Sequence, residues 1–481
     1  MIIYLAMCVN CQMKKKVFGY IVPLLFALVF SGCSNSGGGI IKEIHLGLHN
    51  NNQLKVQIDV LTAEQADAYA EYWAGNDSVN TMQSTIVKNA KQHSLVLCNI
   101  LPKTNYAYRI ITIDNGVKKV SKTYTFKSHD LPIWLQEQFK AINTFPKLIP
   151  QQFKDGLILL NKNYSPGTAF LVDYKGQLRW YHTVDGMAYK VVHYTKDKTV
   201  LSLLGTNDDP TSYGRQILEV NLQGDTILNL KKGQGDFTQL IHHEILKNDK
   251  GQLVTLTVDK KIMDLNSVGG SKQDTVNSDG IIVLDSHAKR IWKWSVFDAL
   301  DPLKDPNIVK TKKDWTHANS LNYDTDGNYL ISFFNTGQIW KVDSKTGKVI
   351  WKFGKGGTVA MPAECDFSQA HAVHINRDGN MLFFDNGVKK QQSGVFAMKL
   401  DEPKQTSTID FHIQLPKEVF NGRMGSAYMI NDTSLLVCCS KRHILVLTDK
   451  KGVLLWTMEL AMPSYRAEFV RADQLAPYLK P

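Results

Sequence analysis

Past residue 33 this sequence has no Cys-x-x-Cys pair, so the common spacing of a structural zinc or a dithiol redox centre is missing. It also has no Gly-x-x-x-x-Gly-Lys-[Ser/Thr] loop. Gly354-Lys355-Gly356-Gly357 lacks the spacing, and with it the backbone cradle that holds nucleotide phosphates. Lysine and arginine are scattered and form no stripe with interleaved aromatics, which argues against a nucleic-acid partner. Seven cysteines divide unevenly: Cys8, Cys11 and Cys33 lie near the start, and Cys98, Cys365, Cys438 and Cys439 remain. Adjacent Cys438 and Cys439, in an apolar run over 435–439, point to opposite faces of a strand and can neither pair nor share a metal. The four later cysteines therefore read as small buried hydrophobes. With 43% apolar and 10% aromatic residues the chain is no disordered polymer, and 481 residues suffice for two domains.

The N-terminal segment reads as a targeting signal. From Met13 the chain runs Met-Lys-Lys-Lys, then an apolar stretch over 17–30 too short to span as a stable helix, then Ser31-Gly32-Cys33. This resembles a bacterial lipoprotein signal, covering 1–33, in which Cys33 becomes the lipidated first residue; the other reading is an N-terminal anchor that is kept. Residues 34–40 follow as a polar tether. The resemblance implies export, a membrane partner through the lipid, and work on the periplasmic side of an envelope membrane. Removing Lys14, Lys15 and Lys16 from the net charge of +11 leaves about +8, a modest excess that suits an anionic small substrate or simple solubility.

Residues 41–130 alternate in the manner of strands, as in Lys55-Val56-Gln57-Ile58-Asp59-Val60 and Tyr106-Ala107-Tyr108-Arg109-Ile110. Leu101-Pro102-Lys103-Thr104-Asn105-Tyr106 resembles the corner of a fibronectin type III-like β-sandwich that a tyrosine ties. No cluster of reactive side chains appears there, so a docking or assembly role is expected. A linker is expected over 131–149.

Over 150–481 a two-part unit recurs six times. One part is an Asp/Asn-Gly-type turn before an apolar strand, as at Asp326-Gly327 and Asp378-Gly379. The other ends in many cases in a tryptophan: Trp180, Trp292, Trp351 and Trp456. Six pairs predict an all-β, six-bladed β-propeller whose radial closure leaves no long edge strand. The tryptophans are expected between blades, and Tyr465-Arg466-Ala467-Glu468-Phe469 is expected to return and close the ring. Three polar residues each precede a turn glycine by the same interval: His243 with Gly251, Asn319 with Gly327 and His371 with Gly379. One slot in successive blades filled by imidazole or amide would aim polar groups at a common point.

His242-His243-Glu244-Ile245, Asp314-Trp315-Thr316-His317-Ala318-Asn319-Ser320, His371 and Phe384-Asp385-Asn386-Gly387 together resemble the bacterial arylsulfotransferases, enzymes independent of adenylyl-sulfate donors. The small β-sandwich before a six-bladed propeller is similar too, so the likeness covers nearly all of the mature chain. It implies ping-pong transfer of a sulfuryl group from an aryl sulfate donor to a phenolic acceptor through a sulfohistidine, without cofactor or metal. It implies His371 as nucleophile, His317 and Asn319 as the substrate-binding and transition-state-stabilising pair, and His243 or its neighbour His242 as the remaining histidine. The shared interval favours His243, since adjacent strand positions face oppositely and both cannot line one channel. The resemblance leaves a homodimer open.

The sequence departs from that pattern at one place. The family usually carries an arginine shortly after the serine of the strand that follows the His-x-Asn-Ser motif. Here that strand reads Leu330-Ile331-Ser332-Phe333-Phe334, with Phe334 at the expected position. Arg423, in Gly422-Arg423-Met424-Gly425, is the candidate to supply the missing charge. Zinc on His243, His317 and His371 is disfavoured, because the three slots hold no pair at ligand spacing and no carboxylate. The alternative from another class is a non-catalytic, quinoprotein-like scaffold, suggested by Lys341-Val342-Asp343 with Thr346-Gly347 and Trp351. Such rings usually need eight repeats, and six are visible.

Overall fold

A computed structural model describes residues 40–48 and 52–479, and Ile40–Pro481 form one compact unit. The signal segment, Cys33 and all but the last residue of the 34–40 tether lie outside the described residues.

Six four-stranded antiparallel motifs form a ring. The second blade runs Ala188–Tyr194, Thr199–Gly205, Gln216–Asn221 and Thr226–Lys231 from the bore outward, and the third Ile241–Lys247, Leu253–Met263, Asp274–Leu284 and Arg290–Ser295. The fourth is Ala318–Tyr323, Tyr329–Phe333, Gln338–Val342 and Val349–Gly354. Ala370–Ile375, Met381–Asp385, Gly394–Asp401 and Thr406–Gln414 make the fifth, and Ser426–Met429, Ser434–Cys439, Ile444–Asp449 and Leu454–Leu460 the sixth. In the first blade Leu157–Lys162, Gly167–Val172 and Leu178–Val184 are completed by Glu468–Val470, which pairs with Leu157–Lys162 on the bore side. The C-terminal return thus closes the ring.

The second strands are buried along their whole length in Leu157–Lys162, Tyr329–Phe333, Met381–Asp385 and Ser434–Cys439. Sheets covered on both faces favour such unbroken apolar runs over alternation. Gly251, Gly327 and Gly379 take φ of 73°, 80° and 78°, the left-handed turn position where glycine has no Cβ to clash. Three tryptophans tie a blade to its neighbour through the indole N–H: Trp180 donates to Leu222 O, Trp292 to Lys345 O and Trp456 to Tyr174 O. Cys438 and Cys439 fall into separate inter-blade clusters, as strand alternation requires, and the four cysteines among the described residues are free and buried.

Two features of the N-terminal half differ in detail from the sequence expectation. Within 131–149, Phe139–Ile142 pairs with Leu454–Leu460 as a fifth strand of the sixth blade. The all-β region before it forms one hydrogen-bonded sheet of seven strands, so a two-sheet fibronectin-type arrangement is not established. Its unity comes from Val56–Ala74, a strand of 19 residues. The first part of that strand pairs with Ile41–Leu48 and Val87–Leu97, and the last part with Asn105–Asp114. Leu101 N–H donates to Tyr106 Oη at 2.9 Å. Lys55 Nζ donates to Gln223 O and Asn52 Nδ2 to Tyr181 O, joining this sheet to the first two blades.

Candidate active site

The innermost strands of the third, fourth and fifth blades do not run regularly. Each ladder slips: between His242 and Ile245, between Ala318 and Ser320, and between His371 and His374. At or just before each slip one residue other than glycine adopts positive φ: His243 at 59°, His317, immediately before its strand, at 53°, and Ala372 at 51°. Left-handed backbone costs an L-residue roughly 1–2 kcal/mol. Such strain concentrates where a fold must aim a side chain, and a bulge re-aims one out of the regular alternation.

The consequence is a line of rings drawn from three blades. His243 and His317 have centroids 5.1 Å apart, Phe334 lies 5.4 Å from His317, and His371 lies 5.8 Å from Phe334. Asn319 Nδ2 stands 3.3 Å from His371 Nδ1. Ser332 Oγ donates to Asn319 Oδ1, which turns the amide N–H toward the imidazole. Ser320 Oγ, 2.5 Å from Ser332 Oγ, continues this relay and accepts from Val373 N–H in the next blade. The structure therefore brings together His243, His317, Asn319 and His371.

The expectation that His242 and His243 face opposite ways is corrected. Their Nδ1 atoms lie 2.8 Å apart, because positive φ at His243 breaks the two-residue alternation. The repeat interval still separates their environments. His243 touches the His317 ring, and Ser212 Oγ sits 2.8 Å from its Nε2. His242 lies behind it, stacked on Tyr213 and 3.4 Å from Asp279. Arg423 is exposed on the 421–425 loop, where its backbone carbonyl accepts from Asn421 Nδ2. His374 bonds its own strand through Ala372 O and packs on Tyr428.

Burial and charge divide the histidines into two kinds. Burial, with Arg466 and His317 nearby, pushes the His371 pKa down to about 3, so its imidazole is neutral across the physiological range. Burial and the adjoining His242 hold His243 well below its ordinary value as well. Burial also opposes a charge on His317, but the Asp314 carboxylate, 2.6 Å from Nδ1, outweighs it and raises the pKa. A neutral ring at His371 and a ring at His317 whose protonated form is favoured thus flank Phe334.

Sequence reasoning missed the supports. Asp314 lay in the quoted motif, yet only its placement three residues before His317 gives it a role. Arg466, 7% exposed, ion-pairs with Glu244 and donates through Nη2 to Asn319 O at 3.0 Å. Glu244 also meets His193 Nε2 at 2.5 Å, and His193 Nδ1 meets Glu468 at 2.8 Å. Charged residues on the ring-closing segment were the available signal.

No curated protein matches the chain. Among solved structures it is similar to a protein of unknown function from Bacteroides caccae, at 11% identity over 66% of this chain and 99% of that one, with a TM-score of 0.43. It is also similar to a virginiamycin B lyase from Staphylococcus aureus, at 10% identity over 70% and 89%, with a TM-score of 0.35. A DUF4784 family protein from Bacteroides caccae covers more, at 9% identity over 90% and 100%, with a TM-score of 0.35. Likenesses this remote carry no functional argument. The family model for arylsulfotransferase (ASST) matches residues 144–417, a span that takes in every ring of the site, and with more than half of its length matched the chain belongs to that family.

Proposed function

We propose that this protein moves a sulfuryl group from a phenolic sulfate ester to a phenolic acceptor in two steps through His371. Membership in the family implies a sulfotransferase. The observation that carries the finer reading is the presence in one site of a neutral, buried imidazole at His371 and a carboxylate-backed one at His317 whose protonated form is favoured.

In the first step the His371 nitrogen that bears the lone pair attacks sulfur, an N–S bond forms, and the S–O bond to the aryl group breaks. The Asn319 N–H, held only at 3.3 Å, passes from that lone pair to a sulfuryl oxygen as negative charge spreads over the group. The leaving phenolate has a conjugate acid of pKa about 10 and takes its proton from His317. In the second step His317, now neutral, accepts the acceptor's phenolic proton while its oxygen attacks sulfur and the N–S bond breaks. Neither step consumes a nucleotide. The direct test is intact-mass measurement after treatment with a chromogenic aryl sulfate, followed by peptide mapping. One sulfuryl adduct on the peptide that carries His371 is expected, discharged by added phenol. No adduct, or one elsewhere, would sink the reading.

The His317–Asp314 pair sets a pH dependence. Because the His317 pKa is raised, the cation persists to higher pH than on an ordinary imidazole and is lost as pH climbs past that raised value. Asp314→Asn removes the larger opposing carboxylate and leaves burial opposed only by the smaller effect of Asp279, so the alkaline limb of kcat/KM should move toward acid. The rate at pH 8 should fall about tenfold, within the usual contribution of a general acid. A pH–rate profile with an unmoved limb would show that His317 is not the acid.

Phe334→Arg is expected to act in the opposite direction. A guanidinium between His317 and His371 adds charge-assisted bonds worth about 1.5–3 kcal/mol to a sulfuryl group. That corresponds to a gain of about tenfold to a hundredfold in kcat/KM for a simple aryl sulfate. Steady-state kinetics showing no gain would mean that a guanidinium at this position does not reach the sulfuryl oxygens.

A further inference from the structure

The slot that holds His243, Asn319 and His371 has a fourth occupant. In the second to fifth blades the inner strand ends at a residue whose N–H bonds the carbonyl four ahead: Thr195 to Thr199, Asn248 to Gln252, Asp324 to Asn328 and Asn376 to Asn380. Five residues before these stand Lys190, His243, Asn319 and His371. The second blade's ladder slips between Tyr189 and Val191, so Lys190 is the extra residue there. The second blade is three places round from the fifth, which is straight across a ring of six.

Lys190 is only 2% exposed, and its Nζ makes one long hydrogen bond, 3.4 Å to the backbone carbonyl of Asp209. The Asp209 carboxylate is taken by Arg215 and Thr206. Among the described residues no carboxylate lies within ion-pair distance of the Lys190 ammonium. Lys341, equally buried, shows what such a group ordinarily requires, being ringed by Asp324, Asp326 and Glu402 at 2.6–2.8 Å. A buried ammonium is heavily penalised unless paired. The segment that holds Lys190 through Asp209 O also holds His243 through Ser212 Oγ, so the underpaired charge belongs to the same wall as the rings.

We propose that the Lys190 ammonium is the anion-binding group of this site, pairing with the sulfuryl oxygens of the donor in place of the charge that Phe334 does not provide. The inference rests on the sulfuryl-transfer reading, and its test separates the two. Equilibrium binding of 4-nitrophenyl sulfate and of inorganic sulfate is measured by calorimetry on the whole protein, as wild type, Lys190→Gln and Lys190→Arg. The glutamine variant should bind both at least tenfold more weakly, and the arginine variant within about threefold of wild type. Binding of uncharged phenol should not change. Thermal melts without ligand supply the structural control: Lys190→Gln should melt no lower than wild type, since it relieves an underpaired charge, and sulfate should raise the melting temperature of wild type and Lys190→Arg only.

Equal binding by Lys190→Gln overturns the proposal, as does failure of wild type to bind either probe at millimolar concentration. A glutamine variant that melts well below wild type and is not rescued by arginine makes Lys190 structural and overturns it too. If sulfate binding depends on Lys190 but no adduct forms on His371, the lysine site stands and the transfer reading falls. If the adduct forms and binding ignores Lys190, the reverse holds.

Discussion

His371→Ala should abolish both the sulfuryl adduct and transfer, lowering kcat by on the order of 10⁴–10⁶, the scale on which removal of a nucleophile from a preorganised site acts. The loss should leave the fold intact. The His371 ring is neutral and its polar contacts are the 3.3 Å approach of Asn319, whose amide stays fixed by the serine relay when the ring is gone, and the Asn386 side chain, whose Nδ2 keeps its bonds to Asn421 O and Met424 O. Binding of the aryl sulfate should therefore survive while chemistry stops. The pattern to look for is a near-normal donor dissociation constant with no coloured phenol released on adding acceptor. Residual turnover within about tenfold of wild type would place the covalent step on another residue.

Arg466→Met should be the most destabilising single change near the site. Glu244, 2% exposed, is held by Arg466 and His193, and losing the arginine leaves a buried carboxylate with one charged partner. Breaking a buried pair from one side costs about 3–5 kcal/mol. The variant also loses the Nη2 bond to Asn319 O, so transfer should weaken even where the protein remains folded. Denaturant titration checks the stability term, and the double variant Arg466→Met with Glu244→Gln should recover part of the loss. A single-variant cost below about 1 kcal/mol would show that the network is not what holds the segment in place. The same cluster predicts alkaline sensitivity. Burial opposes the charge on His193, but Glu244 and Glu468 raise its pKa to about 10. Its contribution is complete below the unfolded value of about 6.5 and is lost as pH rises toward 10.

What the sequence made legible was what repeats. Turns such as those at Gly251, Gly327 and Gly379, with apolar strands after them, recur because every blade must solve the same packing problem, and six turn-and-strand units, not all with glycine, count the ring. Trp180, Trp292 and Trp456 were readable because an indole before a fourth-strand turn has one sensible destination, the next blade. The slot shared by His243, Asn319 and His371 could be found by interval alone. Illegible were the places where a single blade departs from its neighbours. His242 and His243 seemed to exclude one another because alternation assumes extended backbone, and positive φ at His243 cancels that assumption. Phe139–Ile142 looked like linker because its half-exposed alternation matches an edge strand, and its partner lies more than three hundred residues away. Arg423 was chosen from a loop glycine context, but the cation the fold buries beside the rings is Arg466, brought by the returning terminus, and the buried Lys190 sits on a blade whose slot offered no histidine to draw the eye.

The ring is finished by its last strand, and that order has a consequence for synthesis. Glu468–Val470 supplies the bore strand of the first sheet, and Arg466 just before it braces Asn319 and Glu244. A nascent chain halted between His371 and Arg466 would already contain His243, His317, Asn319 and His371, yet would have an open circle and an unbraced amide. Premature termination should therefore yield inert protein rather than a weakened catalyst, so the cell never has to contend with a partial copy that does half the job.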